Sequence, residues 1–256
     1  MKIGFRTAGF GEWALIDALK ELARIGYDGV EICLEHKDSR PEDLTPASCA
    51  ALARACSDLG LDVASVSYHA DFEPPDERRA NSLRAIEFVQ ALGTDVYIIN
   101  GHRFNRVAED EAVARLDALL EDLVPRAEQL GVRIAIEPEP GTVVDGSADM
   151  KRLIDRIGSA DLGCNLDVGH AFLTDTDVCE SIRELGTAIF HTHFEGMPKC
   201  EHNHLLPGEG DIDLQTIKTA LDEIDYSGYY TVDLFDIADD PVRWGQDALP
   251  GMEKLR

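Results

Sequence analysis

The chain of 256 residues carries 49 acidic side chains against 24 Lys and Arg, a formal net charge of -25, with 44% hydrophobic residues. So acidic a surface repels phosphate backbones and anionic bilayers, so neither nucleic acid nor membrane is an expected partner, and no run of 18 apolar residues offers a membrane span. The start MKIGFRTAGF lacks the marks of a secretion signal, and Cys33, Cys49, Cys56, Cys164, Cys179 and Cys200 form no CxxC pair, so a cytoplasmic protein with reduced thiols is expected.

In chain order, a short apolar run followed by an amphipathic stretch recurs eight times. The expected strands are 2–6 (KIGFR), 29–35 (GVEICLE), 62–68 (DVASVSY), 95–100 (DVYIIN), 133–138 (RIAIEP), 162–168 (LGCNLDV), 188–194 (AIFHTHF) and 229–235 (YYTVDLF). The clearest helix runs over 109–130, with Val113, Leu116, Leu120, Leu123, Ala127 and Leu130 at steps of three and four and Pro125 as a candidate kink. Ile25-Gly26, Leu59-Gly60, Leu92-Gly93 and Leu130-Gly131 read as helix ends closed by a left-handed glycine. Ser147 reads as a helix N-cap with Asp149 in the first turn, His36 as a surface residue in a charged loop, and Glu139 as solvated. Eight such units in a chain of this length predict an α/β fold, a (β/α)8 barrel forming one domain over 1–256. An open doubly wound sheet is the competitor, but no GxGxxG follows the first strand.

In such a barrel chemistry gathers at the C-terminal ends of the strands. There the sequence places His69, His102 after Asn100-Gly101, Glu137, Asp167 with His170, His191 with His193, and Asp233. Glu137, Asp167, His193 and Asp233 fall one strand–helix unit apart, on four consecutive strands. Three carboxylates and an imidazole on one rim would repel each other without a cation, so one divalent ion (Mn, Mg, Co or Zn) is expected among them. His191 and His193, two apart on a strand, share a face, and Phe190, Thr192 and Phe194 are expected to face the helices. His193 lies nearer the rim and is the preferred ligand; His191, one layer deeper, is expected to orient a neighbour. The loop CEHNH (200–204) lacks the second cysteine pair of a zinc finger and reads as a cover over the metal. Trp13 and Phe10 could floor a sugar or belong to the core, and no Lys or Arg cluster is evident at the strand ends, which favours a non-phosphorylated substrate.

IAIEPEP (134–140), NLDVGHAF (165–172), HTHFEG (191–196), PGEGDID (207–213) and GYYTVDLF (228–235), with KIGFRTAGF and YDGVEI before them, resemble the xylose isomerase-like TIM-barrel superfamily of sugar isomerases and epimerases, which includes endonuclease IV. The resemblance spans the chain. It implies a divalent metal, manganese preferred, on Glu137, Asp167, His193 and Asp233, with His170 touching substrate. Glu137 and Asp233 would be the catalytic pair, moving a proton beside a carbonyl through a metal-stabilised enediolate. A small-molecule sugar would be the substrate, and the protein would act as a homo-oligomer or in a hetero-complex. The chain departs from the ketose 3-epimerases at Asp233, where they carry Glu, at His204, where they carry Arg, and at Val143, where they carry a second Glu. It is similar to endonuclease IV, a three-zinc enzyme, at His69, His102, Glu137, Asp167, His170, His193 and His204, with HNH (202–204) in place of DRH, but its charge opposes DNA binding. His69, His102 and His204 are therefore read as substrate contacts, His204 alternatively as a second-metal contact. The alternatives to an isomerase or epimerase are a dehydratase or lyase using the same site, an accessory subunit of a sugar-processing complex, and an endonuclease IV-like phosphodiesterase.

Overall fold

The computed structural model describes residues 1–70, 73–103, 108–235, 237 and 239–256. Eight strands, β1 (Lys2–Arg6), β2 (Gly29–Cys33), β3 (Asp62–Ser67), β4 (Val96–Asn100), β5 (Arg133–Glu137), β6 (Leu162–Asp167), β7 (Ile189–Phe194) and β8 (Tyr229–Val232), lie side by side in chain order, and β8 pairs back onto β1 to close the barrel. Every pairing is parallel, as a strand–helix repeat requires. Around it run α1 (Leu15–Ile25), α2 (Pro46–Asp58), α3 (Pro75–Ile86), α4 (Val89–Leu92), α5 (Glu109–Leu130), α6 (Ser147–Ile157), α7 (Val168–Thr174), α8 (Val178–Leu185), α9 (Leu214–Glu223) and α10 (Pro241–Glu253). The expected (β/α)8 barrel is the fold. The strands read as nearly unbroken apolar runs because both of their faces are buried, one by helices and one by the barrel interior. Among the described residues no helix is long and apolar enough to cross a membrane.

Helix α5 has the expected bounds and buries Leu116, Leu120, Leu123 and Ala127 together with Ala112, Leu119 and Val124. Val113, read as part of the apolar stripe, is instead 36% exposed, since the buried face is centred on Ala112 and Leu116. The helix runs unbroken through Pro125, which is exposed, as is Glu121 one turn earlier; the carbonyl left without a donor can bond to water. Gly26, Gly60, Gly93 and Gly131 all take positive φ, as the helix-end reading requires.

Two local expectations are corrected. Ser147 is the first residue of α6 and Gly146 its cap; the Ser147 N–H donates to Asp175 Oδ1 at 3.0 Å, so a residue from the next unit does the capping. Phe190 does not face the helices. Between β6 and β7 the register shifts: Cys164 pairs with Ile189 and Asn165 with His191, which leaves Phe190 as a bulge. Its ring packs on Val96, Ile98 and Ala135 inside the barrel, with the Arg133 guanidinium 5.1 Å from the ring centre. Gly163 opens the space: a Cβ there would lie 2.3 Å from the Ala188 carbonyl oxygen and 2.6 Å from the Phe190 ring. Gly163→Ala should therefore cost about 1–3 kcal/mol of stability through overpacking, read as a lower urea midpoint with an unchanged slope.

Candidate metal centre

The pairing of Asn100 with Glu137, of Asp167 with His193, and of His193 with Thr231 sets the strand ends at one level. Glu137 closes β5, Asp167 closes β6, His193 lies one residue from the end of β7, and Asp233 follows β8. All four are buried, and one donor atom from each lies within 4.8 Å of the others. His193 Nδ1 stands 3.2 Å from Glu137 Oε2, 3.5 Å from Asp233 Oδ2 and 3.8 Å from Asp167 Oδ2. Its Nε2 lies 2.9 Å from Glu31 Oε2. Glu31 thus orients the ring from behind and turns Nδ1 towards the three acids, the outer carboxylate–histidine contact common at metal sites. Asn165, one layer below, donates to Glu137 Oε2 at 2.8 Å and fixes that carboxylate.

The electrostatics fit a cation. Burial raises the pKa of Glu137, yet the neighbouring His193 and His69 carry it well below the usual carboxylate range. Burial opposes charge on His193, but Glu31 and Glu137 on either side raise its pKa well above the ordinary histidine value. A proton and a divalent cation would compete for that same field at Nδ1. Asp167 Oδ2 is buried with no hydrogen-bond partner. Three buried carboxylates, one of them with an unpartnered oxygen, and one imidazole form a donor set that suits a divalent ion. Beside them Glu195 accepts from the Gly169 N–H at 2.6 Å, and burial, with Asp167 adjacent, raises its carboxyl well above the usual range.

Arg6, the last residue of β1, was not singled out from the sequence, which suggested no cation cluster at the strand ends. It is buried, and its Nη1 donates to both Asp233 oxygens, at 3.2 and 3.1 Å. Its Nε lies 3.0 Å from Glu31 Oε1, and its Nη2 lies 3.0 Å from His69 Nδ1. Bound up in this way, it is no open phosphate grip. Glu31 was missed as well; its signal was a lone charge in the apolar strand GVEIC. His191 lies below, with Nε2 3.3 Å from Ser65 Oγ and 3.4 Å from Glu31 Oε2, so the neighbour it supports is Glu31.

The other named residues are placed as follows. Asp167 caps α7 by accepting from the His170 N–H at 2.7 Å, while His170 Nδ1 meets the Pro138 carbonyl at 3.0 Å and its Nε2 lies 2.9 Å from His202 Nε2. His204 Nδ1 meets the Asp233 carbonyl at 2.9 Å, and its ring lies 4.7 Å from that of Phe235, which is 51% exposed. His170, His202 and His204 bring their nitrogens within 4.8 Å and could hold a metal of their own. Burial, with His170 and His204 beside it, lowers His202 to about 4. His69 Nε2 lies 3.5 Å from Glu137 Oε2. His102 Nδ1 lies 3.1 Å from Arg78 Nη1. Trp13 sits edge-on to Phe10, ring centres 5.7 Å apart, and Phe10 is fully buried core; no hydrogen bond or ring contact joins Trp13 to the four candidate ligands among the described residues. His36, expected at the surface, is buried against the Phe10 carbonyl at 3.1 Å. Glu139, expected in solvent, is buried, paired with Arg103 and accepting from Asn100 Nδ2 at 3.1 Å. Both were misread because their partners come from other loops.

The family model for the xylose isomerase-like TIM barrel matches residues 19–255. Fructoselysine 3-epimerase of Shigella flexneri is 21% identical over 270 aligned positions, covering 100% of this chain and 98% of its own length. Inosose dehydratase of Lacticaseibacillus casei is 25% identical over 248 positions, 84% of this chain and 80% of that protein. Among solved structures, IOLI protein with a bound zinc atom shares the fold with a TM-score of 0.79 at 23% identity, covering 100% of this chain and 98% of its own. By that family match, extending over nearly the whole barrel, the chain belongs to the xylose isomerase-like TIM-barrel family.

Proposed function

We propose that this chain is a divalent-metal-dependent isomerase or epimerase of a keto-sugar or related polyol, acting by proton abstraction beside a carbonyl. The convergence of Glu137, Asp167, His193 and Asp233 within 4.8 Å in a buried pocket of charge carries the reading. Those four would hold the ion, with manganese preferred among Mn, Mg, Co and Zn. When bound, the ion supplies Lewis acidity, polarising substrate carbonyl and hydroxyl oxygens so that an enediolate becomes accessible. Glu137, ionised and fixed by Asn165, is the base that takes the carbon-bound proton. Asp233, 3.5 Å from His193 Nδ1, is the group that returns it. His170, His204, His69 and His102 line the strand ends as partners for substrate oxygens. The small-molecule sugar is the one partner class this reading needs; nucleic acid and membrane have no part in it, and assembly is as a homo-oligomer or in a hetero-complex. The six unpaired cysteines suit a cytoplasmic setting.

One observation favours a second reading. Arg6 holds both oxygens of Asp233, a side chain one methylene shorter than glutamate, and keeps it ionised and tethered. With Asp233 clamped in this way one base, Glu137, is left, and one base suffices for elimination. Glu137 takes the proton, the C–H electron pair forms the carbon–carbon double bond, and the β-hydroxyl leaves as water with a proton from the protein. An epimerase and a dehydratase among the relatives match these two outcomes of one abstraction.

Metal-loaded protein incubated with a panel of keto-sugars in D2O should show metal-dependent deuterium uptake beside a carbonyl, or loss of one water if elimination operates. No uptake and no water loss across a broad panel would rule out enolisation. Glu137→Gln should lower the exchange rate about 10²–10⁴-fold. Asp167→Ala should bind markedly less divalent metal in elemental analysis of the purified protein; undiminished metal would remove Asp167 from the ligand set.

A further inference from the structure

We infer that Arg6 is a positioning residue that holds His69 with a bare Nδ1 and its proton on Nε2, so that His69 meets a substrate oxygen as a hydrogen-bond donor and takes no part in metal ligation. His69 Nδ1 lies 3.0 Å from Arg6 Nη2. A guanidinium has only N–H groups to offer and stays protonated in proteins, so Nδ1 must supply the lone pair. The ring's proton then sits on Nε2, which lies 3.5 Å from Glu137 Oε2, is buried, and has no hydrogen-bond partner of its own. Arg6 cannot swing away cheaply: it is buried between Glu31 and Asp233, and leaving would strand two buried carboxylates. The backbone of His69 is held as well, its N–H donating to Glu35 Oε1. The same device recurs one strand on. Arg78 Nη1 lies 3.1 Å from His102 Nδ1, while Arg78 Nη2 donates to the Asn100 carbonyl and Oδ1, at 2.7 and 3.0 Å.

A protonated Nε2 has no lone pair for a metal, so this corner stays outside the coordination shell. It supplies instead an N–H beside the candidate base. The matching ligand chemistry is a hydrogen-bond acceptor next to the carbon that loses its proton: a carbonyl, hydroxyl or carboxylate oxygen. That substrate role rests on the enolising function proposed above; the position of the proton and the absence of ligation do not.

The test uses full-length protein with isotope-labelled histidine nitrogens, the His69 signals being identified by their loss in His69→Gln. Long-range proton–nitrogen correlation spectra should show Nε2 protonated and Nδ1 bare, both without metal and after zinc addition. A protonated Nδ1, a doubly protonated ring, or a zinc-induced change of Nε2 to a ligated nitrogen would overturn the inference. The zinc content of His69→Gln, whose amide can place an N–H near the Nε2 position, should equal that of the wild type; loss of zinc would overturn it too. Once a substrate is found, His69→Ala should raise KM about tenfold and His69→Gln less than about threefold, the scale of one neutral hydrogen bond. Equal KM in wild type and His69→Ala would remove the donor role. The spectra and zinc contents need no turnover, so a failed substrate screen would count against the enolising function and leave the histidine assignment to stand or fall by itself.

Discussion

Burying charge is expensive, and among the described residues this barrel buries six carboxylates: Glu139, paired with Arg103, and Glu31, Glu137, Asp167, Glu195 and Asp233. Each unpaired charge in such a place costs several kcal/mol, so the arrangement persists only through compensation. Three forms of it are visible. The Arg6 guanidinium spans Glu31 and Asp233. Burial and the adjoining Asp167 favour a retained proton on Glu195. His193, between Glu31 and Glu137, attracts either a second proton or a cation. The uncompensated negative charge gathers on the four-residue donor set, whose chemistry suits a divalent cation.

This compensation also gives the site its layers. At the rim stand the four candidate ligands. One step below, Asn165 steadies Glu137, Glu31 steadies His193, and His191 with Ser65 steadies Glu31. Lower still, Val96, Ile98, Ala135 and Phe190 make a small apolar plug within the barrel. The polar side chains at mid-depth are themselves buried, which raises the strength of every charge interaction among them.

The rim was legible in the sequence because its members obey the repeat: an acid or imidazole at the end of each of four consecutive strands, each strand recognisable from its apolar run. The same periodicity gave the eight strands and the bounds of α5. What lay beyond reading depended on distant partners. Arg6 meets Asp233 across 227 positions and Glu31 meets His193 across 162, and no local pattern marks either pairing. His36 and Glu139 resembled surface residues because polar side chains in loops usually are; a carbonyl at Phe10 and the pair Asn100 and Arg103 bring them inside. The cap of α6 was assigned to Ser147 for want of Asp175, which arrives from the next unit. The two roles suggested for Trp13 could not be separated from sequence, and its contact with buried Phe10 ties it to the core side of the loop.

The bulge at Phe190 sets which way the rest of β7 faces. Ile189 enters the strand in the helix-packed core, opposite Cys164. Strict alternation from that entry would carry His191 and His193 outward, among the helices, and empty the rim of its imidazole. The one extra residue acts as a phase shift: it takes up half a period, so that everything after it points the other way. Side-chain identity at position 190 can then drift with the packing of the lower barrel, whereas the count of residues between Ile189 and His193 cannot change by one without turning the histidine away from the acids.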